Sequence, residues 1–149
     1  MAAKPQTLAT TSAFEVLGPV MVGPSSSHTA GALRCARVAA SLVASPVVRV
    51  RFTLWNSFAH THRGHGTDRA LVAGVLGLDT DDERIRDAFD LARAAGIEVA
   101  FDVAPDDTSV HPNTVDIDMG SDRTQAVFLP FSLYLQGFSS SVLLFSPTS

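Results

Sequence analysis

Between positions 47 and 55 the chain alternates. Val48, Val50, Phe52 and Leu54 fall on one side and Arg49, Arg51 and Thr53 on the other, the period-two pattern of a strand with one buried face. The same alternation returns at Ile97, Val99, Phe101 and Val103 and again at Val115, Ile117 and Met119, which predicts two more strands. Helical spacing fills the intervals. Leu33, Ala36, Ala40 and Val43 repeat on one face while Arg34, Arg37 and Ser41 take the other, so an amphipathic helix is predicted from the serine run to the break at Ser45-Pro46. A second helix, rich in Ala, Leu and Val, is predicted from about Thr67 to Gly77. A third is expected to start at a capping box of Thr80 and Glu83, to bury Ile85, Ala88, Phe89 and Ala92, and to stop at Gly96. The remaining polar stretches, Asn56 to Gly66 and Ala104 to Thr114, read as loops. Strands interleaved with helices predict one α/β domain, an α+β layered sandwich whose sheet order the pattern does not contain.

The ends read differently. Residues 1–12 are expected to be a disordered lead without the apolar core of a secretory signal. From Thr124 to Ser149 there is no charged residue, and 126–145 is about as long as a bilayer span. Pro130, Gln136, Gly137 and Ser139-Ser140-Ser141 interrupt it and no basic flank follows, so strands docked elsewhere, or an altered C-terminus, are expected in place of a membrane helix. The folded part is then 13–120, and 121–149 is an atypical uncharged apolar tail.

Composition narrows the function. A net charge of -4 speaks against nucleic acid and anionic membrane surfaces as partners. The single cysteine, Cys35, can form no internal disulfide and cannot by itself hold a four-thiolate cluster, which fits a reducing, cytoplasmic setting. Lys4 is the only lysine, which speaks against a pyridoxal-phosphate enzyme, since that chemistry needs a Schiff-base lysine.

Three segments carry candidate chemistry. Ser25, Ser26, Ser27, His28, Thr29 and Gly31 lie where a loop becomes a helix. Unpaired amides and a partial positive charge there suit a carboxylate or phosphate, hydroxyls add donors, and His28 would titrate beside the anion; a simple helix cap is the plainer alternative. The second segment follows the first strand and holds Ser57, His60, His62, Gly64, His65, Gly66, Thr67 and Asp68. Ligands of α/β proteins favour strand C-termini, and the glycines around His65 aim that imidazole as a proton-transfer group; a solvated polar loop is the alternative. The His60-x-His62-x-x-His65 spacing is not that of a familiar metal site, and no metal is expected on this chain. The third segment, His111-Pro112-Asn113-Thr114, reads as a turn before a strand or as part of a site.

Taken in order, these segments resemble a known family. Gly18-Pro19-Val20-Met21-Val22-Gly23-Pro24-Ser25-Ser26-Ser27-His28-Thr29-Ala30-Gly31 resembles the opening of the β chain of bacterial iron–sulfur L-serine dehydratases. Ser57-Phe58-Ala59 with Gly64-His65-Gly66-Thr67-Asp68-Arg69-Ala70-Leu71 resembles its second signature, and 77–85 and 111–114 match two further stretches. The resemblance covers residues 12 to 120. It implies an L-serine ammonia-lyase that makes pyruvate and ammonia with a [4Fe–4S] cluster held by cysteines of an α chain or domain. It implies that this chain is like the allosteric substrate-binding domain of some phosphoglycerate dehydrogenases, and that it forms homo- or hetero-oligomers. By the same resemblance His65 and His28 are the catalytic candidates. Ser25, Ser26, Ser27, His28, Thr29, Gly31, Ser57, Gly64, Gly66, Thr67, Asp68, His111 and Asn113 are the candidates for binding L-serine. Two departures stand out: Asn56 occupies a position where many relatives have Gly, and the family's glycine-rich continuation and its ACT domain do not follow Gly120. A truncated or altered β chain is therefore expected. The rival expectations are a non-catalytic small-anion or amino-acid sensor and an inactive fragment.

Overall fold

The computed structural model describes residues 26–43, 46–63 and 66–121, with backbone alone at 26–28 and in the strands within 125–145. The elements run α1 (Ser26–Ser41), β1 (Val47–Leu54), α2 (Asn56–Thr61), α3 (Thr67–Val75), a 3-10 turn (Glu83–Asp87), α4 (Ala88–Ala94), β2 (Glu98–Val103), β3 (Thr114–Ser121), β4 (Gln125–Tyr134), β5 (Gly137–Ser140) and β6 (Leu143–Phe145). The strands form one mixed sheet in the order β2-β1-β3-β4-β5, with β6 also on β4. β1 and β2 run parallel, joined by the helical crossover, and β3 lies antiparallel on the other side of β1. The uncharged stretch after Thr124 thus continues the sheet beyond β3.

The period-two pattern places the core. Val50, Phe52 and Leu54 of β1 and Val115, Ile117 and Met119 of β3 are buried beneath the helices. Val48 was expected with them and is instead 41% exposed. The register shifts between Val47 and Arg49, and such a bulge reverses the side that the next side chain takes. On β2, Phe101 stacks on Phe52 with ring centroids 5.0 Å apart.

Helix ends follow their local chemistry. After α3 the amides of Gly77 and Leu78 bond to the carbonyls of Gly74 and Ala73, and after α4 those of Gly96 and Ile97 bond to Arg93 and Ala92. Both are the paired reverse bonds of a glycine-terminated helix, with φ of 76° at Gly77 and 73° at Gly96. The predicted capping box at Thr80 and Glu83 does not form. Thr80 is buried, and Asp82 caps the 3-10 turn by accepting from the Arg84 amide at 2.9 Å. Bonds from the Arg84 side chain and amide hold the Asp82 carboxyl at about 2. The stretch 56–66, read as a loop, opens with α2, which at six residues is too short to show a helical period.

The direction of the helices matters most for function. α1 lies against β3, β4 and α3. Its 16 residues extend about 24 Å. The link 42–46 spans at most about 21 Å, too little to carry the chain back along the helix and across to the sheet. α1 therefore runs opposite to β1, and its head lies at the C-terminal end of β1. α3 starts at the same end, because α2 follows β1 directly and the carbonyl of His62 holds the Thr67 amide at 3.1 Å. The two helices meet at Gly74, the eighth of the nine residues of α3, against the middle of α1. A Cβ on Gly74 would overlap the Leu33 carbonyl and lie 2.8 Å from Ala36 Cβ and 3.0 Å from the Arg37 amide. Only a residue without a side chain permits that approach.

The opposite face of the sheet carries charge. Arg51 donates to Asp102 at 2.7 Å, and the Trp55 indole donates to Asp116 at 2.8 Å. Burial pushes the Asp116 carboxyl above its usual range, against the lowering effect of the Trp55 bond.

Two stability tests follow from these contacts. Gly74→Ala forces α1 and α3 apart and should cost about 1–3 kcal/mol by urea denaturation, the ordinary range for overpacking. Asp116→Asn keeps an oxygen for Trp55 and removes a partly desolvated charge. Because the folded-state pKa is raised, that charge weakens the fold when ionised and ceases to do so as pH falls below the ordinary carboxylate value. Thermal melting should therefore show the variant more stable than the parent at pH 7, with the difference gone near pH 3.

Candidate functional site

The site is assembled at the C-terminal end of β1, where the chain leaves the sheet for the helical layer. Crevices beyond strand C-termini are the usual ligand positions in such sheets. Four segments arrive there: the head of α1, the turn of α2, the head of α3 and the loop between β2 and β3.

Ser26, Ser27 and His28 form the first turn of α1, whose leading amides have no partner within a helix. Ser25 precedes the described residues. Thr29 is 5% exposed and Ala30 and Gly31 are buried as well, so the helix turns these three toward its neighbours. Of the serine-rich motif, Ser26 to His28 supply the backbone of the first turn.

The head of α3 has a different chemistry, although it faces the same end. The His62 carbonyl accepts from the amides of Thr67 and Asp68 at 3.1 and 3.5 Å, and the Asp68 carboxylate accepts from the Arg69 amide at 2.8 Å. Its first-turn donors are thus already satisfied, with a carboxylate in place, and an anion gains little there. Gly66 enters this helix at φ 70°, a left-handed conformation suited to glycine. Thr67 is fully buried and its hydroxyl has no hydrogen-bond partner among the described residues. An orphaned buried hydroxyl is uncommon and points to a group that completes it.

The histidines divide into separate roles. His62 donates from Nδ1 to the Ala59 carbonyl at 2.9 Å, and its ring stacks against Phe101 with centroids 6.4 Å apart, so it closes α2 onto the core. His60 is exposed and its Nε2 meets Asp106 at 2.8 Å. Gly64 and His65 lie outside the described residues.

The β2–β3 loop is fastened to α2. Ser57, the second residue of α2, donates its amide to the Pro112 carbonyl at 2.9 Å. Asn56, with φ 45°, places its carboxamide among the backbone groups of Asp107 and Val110. His111 Nδ1 accepts from the Asn113 amide at 3.2 Å, and the Asn113 side-chain oxygen is buried without a donor among the described residues. Between loop and helix lies an open depression of about 400 Å³, lined by Asn56, Ser57, His60, Asp106, Val110 and Pro112 among others. The sequence reading singled out Ser57, His111 and Asn113 but missed Asn56 and Asp107 as the joints between them. An Asp-Asp-Thr-Ser turn facing an Asn at a strand end was the available signal. Asp107 does form such a turn, and bonds from the Ser109 hydroxyl and amide hold its carboxyl below the usual range.

The donor set of this chain does not fit an iron–sulfur cluster. Cys35 is buried within α1, where burial pushes its thiol up to about 12, and one protonated thiol cannot replace several thiolates. Among the described residues no three His, Cys, Asp or Glu side chains are grouped to hold a metal ion, and no helix is long and apolar enough to cross a membrane.

Comparison with known proteins agrees with this arrangement of motifs. The family model described as serine dehydratase beta chain matches residues 12–142, extending past Gly120 into the uncharged strands. The L-serine dehydratase beta chain of Peptoniphilus asaccharolyticus is 56% identical over 106 residues, which is 71% of this chain and 48% of that protein. The probable L-serine dehydratase beta chain of Bacillus subtilis is 49% identical over 112 residues, 75% of this chain and 50% of that protein. An L-serine dehydratase of Streptomyces coelicolor is 41% identical over 71 residues, 44% of this chain and 15% of that protein. The chain thus spans about half the length of the beta chains that it matches. It belongs to the serine dehydratase beta chain family.

Proposed function

We propose that the chain is the amino-acid-binding β portion of an L-serine ammonia-lyase, working with an α chain or domain that holds a [4Fe–4S] cluster. One observation carries this reading: a serine-headed helix start and a buried Thr67 hydroxyl, unpartnered among the described residues, lie at the same end of the sheet in a chain of this family. The reaction removes the α-proton and the β-hydroxyl of L-serine as water, and the resulting aminoacrylate takes up water to give pyruvate and ammonia. The cluster supplies polarisation of the leaving hydroxyl, and no residue of this chain is assigned to it.

The residues of this chain bind and orient. The first-turn amides of α1, with the hydroxyls of Ser25, Ser26 and Ser27, take the substrate carboxylate, which the helix charge favours. His28 follows these serines in the sequence and is the titratable candidate of the motif. The Thr67 hydroxyl donates to the same ligand, and the Asn113 oxygen, which lacks a donor, suits the ammonium group. His65 is the proton-transfer candidate. A protein whose one thiol is buried fits the reducing cytoplasm, where a cluster-bearing partner also survives.

Reconstitution tests the reading. Purified with its α partner, iron and sulfide under anaerobic conditions, the pair should form pyruvate from L-serine. His65→Ala should lower kcat by about 10²- to 10⁴-fold, the usual contribution of a positioned acid–base group, and Ser26→Ala should mainly raise KM. Serine binding without pyruvate would leave an amino-acid sensor in place of an enzyme.

Thr67→Val separates a ligand contact from a structural one. Removing a buried hydroxyl that lacks a partner should leave the ligand-free chain as stable as the parent or up to about 1–2 kcal/mol more so. Affinity for L-serine should fall about tenfold, the effect of one lost hydrogen bond. A destabilised variant with unchanged serine affinity would take Thr67 out of the site.

A further inference from the structure

We propose that Asn56 is a positioning residue that fixes the loop carrying His111 and Asn113 against the turn carrying Ser57, so that the two halves of the site have one arrangement. The proposal rests on the reading of this end of the sheet as the serine site.

The side-chain amide is used almost to capacity. Asn56 Nδ2 donates to the carbonyls of Asp107 at 2.9 Å and Val110 at 3.0 Å, and Oδ1 accepts from the Asp107 amide at 2.8 Å. The pattern admits no reversal of the amide, because the two carbonyls can only accept and the Asp107 N–H can only donate. An aspartate has no proton for either carbonyl. A glycine could take the left-handed φ of 45° but makes none of the three bonds.

The clamped segment is itself a closed turn. The Asp107 carbonyl also accepts from the Val110 amide at 3.2 Å, and the Asp107 carboxylate accepts from the Ser109 amide and hydroxyl at 2.8 and 2.6 Å. Asn56 therefore grips a rigid unit. Downstream, the Trp55 amide holds the Thr114 carbonyl at 3.1 Å and the Ser57 amide holds that of Pro112 at 2.9 Å. Only residues 111–113 lie between the clamp at Val110 and the strand at Thr114, and Pro112 in their middle is pinned. The His60–Asp106 pair adds a second, exposed link, which is the weaker because water screens it. With Asn56 in place, the spacing of His111 and Asn113 from Ser57 is set by backbone geometry. Without it, the loop is held by its two ends, the Ser57–Pro112 bond and the exposed His60–Asp106 pair.

The test uses the full chain with Asn56→Gly, a replacement that keeps the backbone conformation and so preserves the fold. Hydrogen exchange without substrate should show the Asp107 amide at least about tenfold faster than in the parent, with a single cooperative melt lowered by about 5–10 °C through the three lost bonds. Assayed with the α partner, the same variant should raise the KM for L-serine about five- to tenfold while kcat stays within about twofold, a split that general destabilisation does not produce. Asn56→Asp, which keeps only the acceptor, should match the glycine variant in KM. Unchanged exchange at Asp107 would overturn the clamp. Faster exchange with an unchanged KM would overturn its role in the site. If the parent pair formed no pyruvate, the lyase reading would fail, and the KM arm would be replaced by serine binding to parent and variant, with equal affinities overturning the positioning role.

Discussion

The approach of Gly74 to the backbone of α1 is the contact on which the arrangement of this domain depends. Two helices can lie this close only where one offers no side chain, and here the α1 groups next to Gly74 are the Leu33 carbonyl, the Ala36 methyl and the Arg37 amide. The contact falls at the eighth residue of α3 and between the eighth and twelfth of α1, so each head lies about two to three turns before it. Together with the short link to β1, it brings the serine-rich turn and the start of α3 to the same end of the sheet. A looser crossing would separate them, whatever residues they carried.

The two heads that share this end differ in how they can meet a ligand. α3 is closed by the His62 carbonyl and by its own Asp68. The proposed anion binding is therefore assigned to α1, while α3 contributes a buried hydroxyl that nothing in the described chain engages. The β2–β3 loop completes the group with His111 and Asn113. Each segment is short and irregular, and each is tied to an element that is not: α1 and α3 to one another, α2 to the core through His62 and Phe101, and the loop to α2 through Asn56. A rigid support beneath variable segments is what precise placement of a small zwitterion requires.

Much of the fold was legible because its core elements have clean periods. The inner faces of β1 and β3 and the apolar stripe of α1 follow from the spacing of Val50, Phe52, Leu54, Val115, Ile117, Met119, Leu33 and Ala36. What escaped has local reasons. A bulge turned Val48 outward, a six-residue helix has too few turns to show a pattern, and Asp82 capped a turn that Thr80 was expected to start. In the site, the serine run and the segments at 57–68 and 111–114 stand out by composition alone. The joints are harder to see, since Asn56 and its partners Asp107 and Val110 are 51 and 54 residues apart and the turn at Asp107 does not by itself name its partner. Nor does sequence tell an open helix head from a closed one, because the group that closes α3 is a backbone carbonyl.

The account's central claim is that the head of α1 grips the acid group of the substrate. A crystal structure of this chain with its cluster-bearing partner and L-serine addresses it directly. The claim predicts a serine carboxylate oxygen about 2.7–3.2 Å from first-turn amides of α1, at the end of β1 shared with Thr67. A serine bound wholly within the partner, or on another face of this chain, would contradict it.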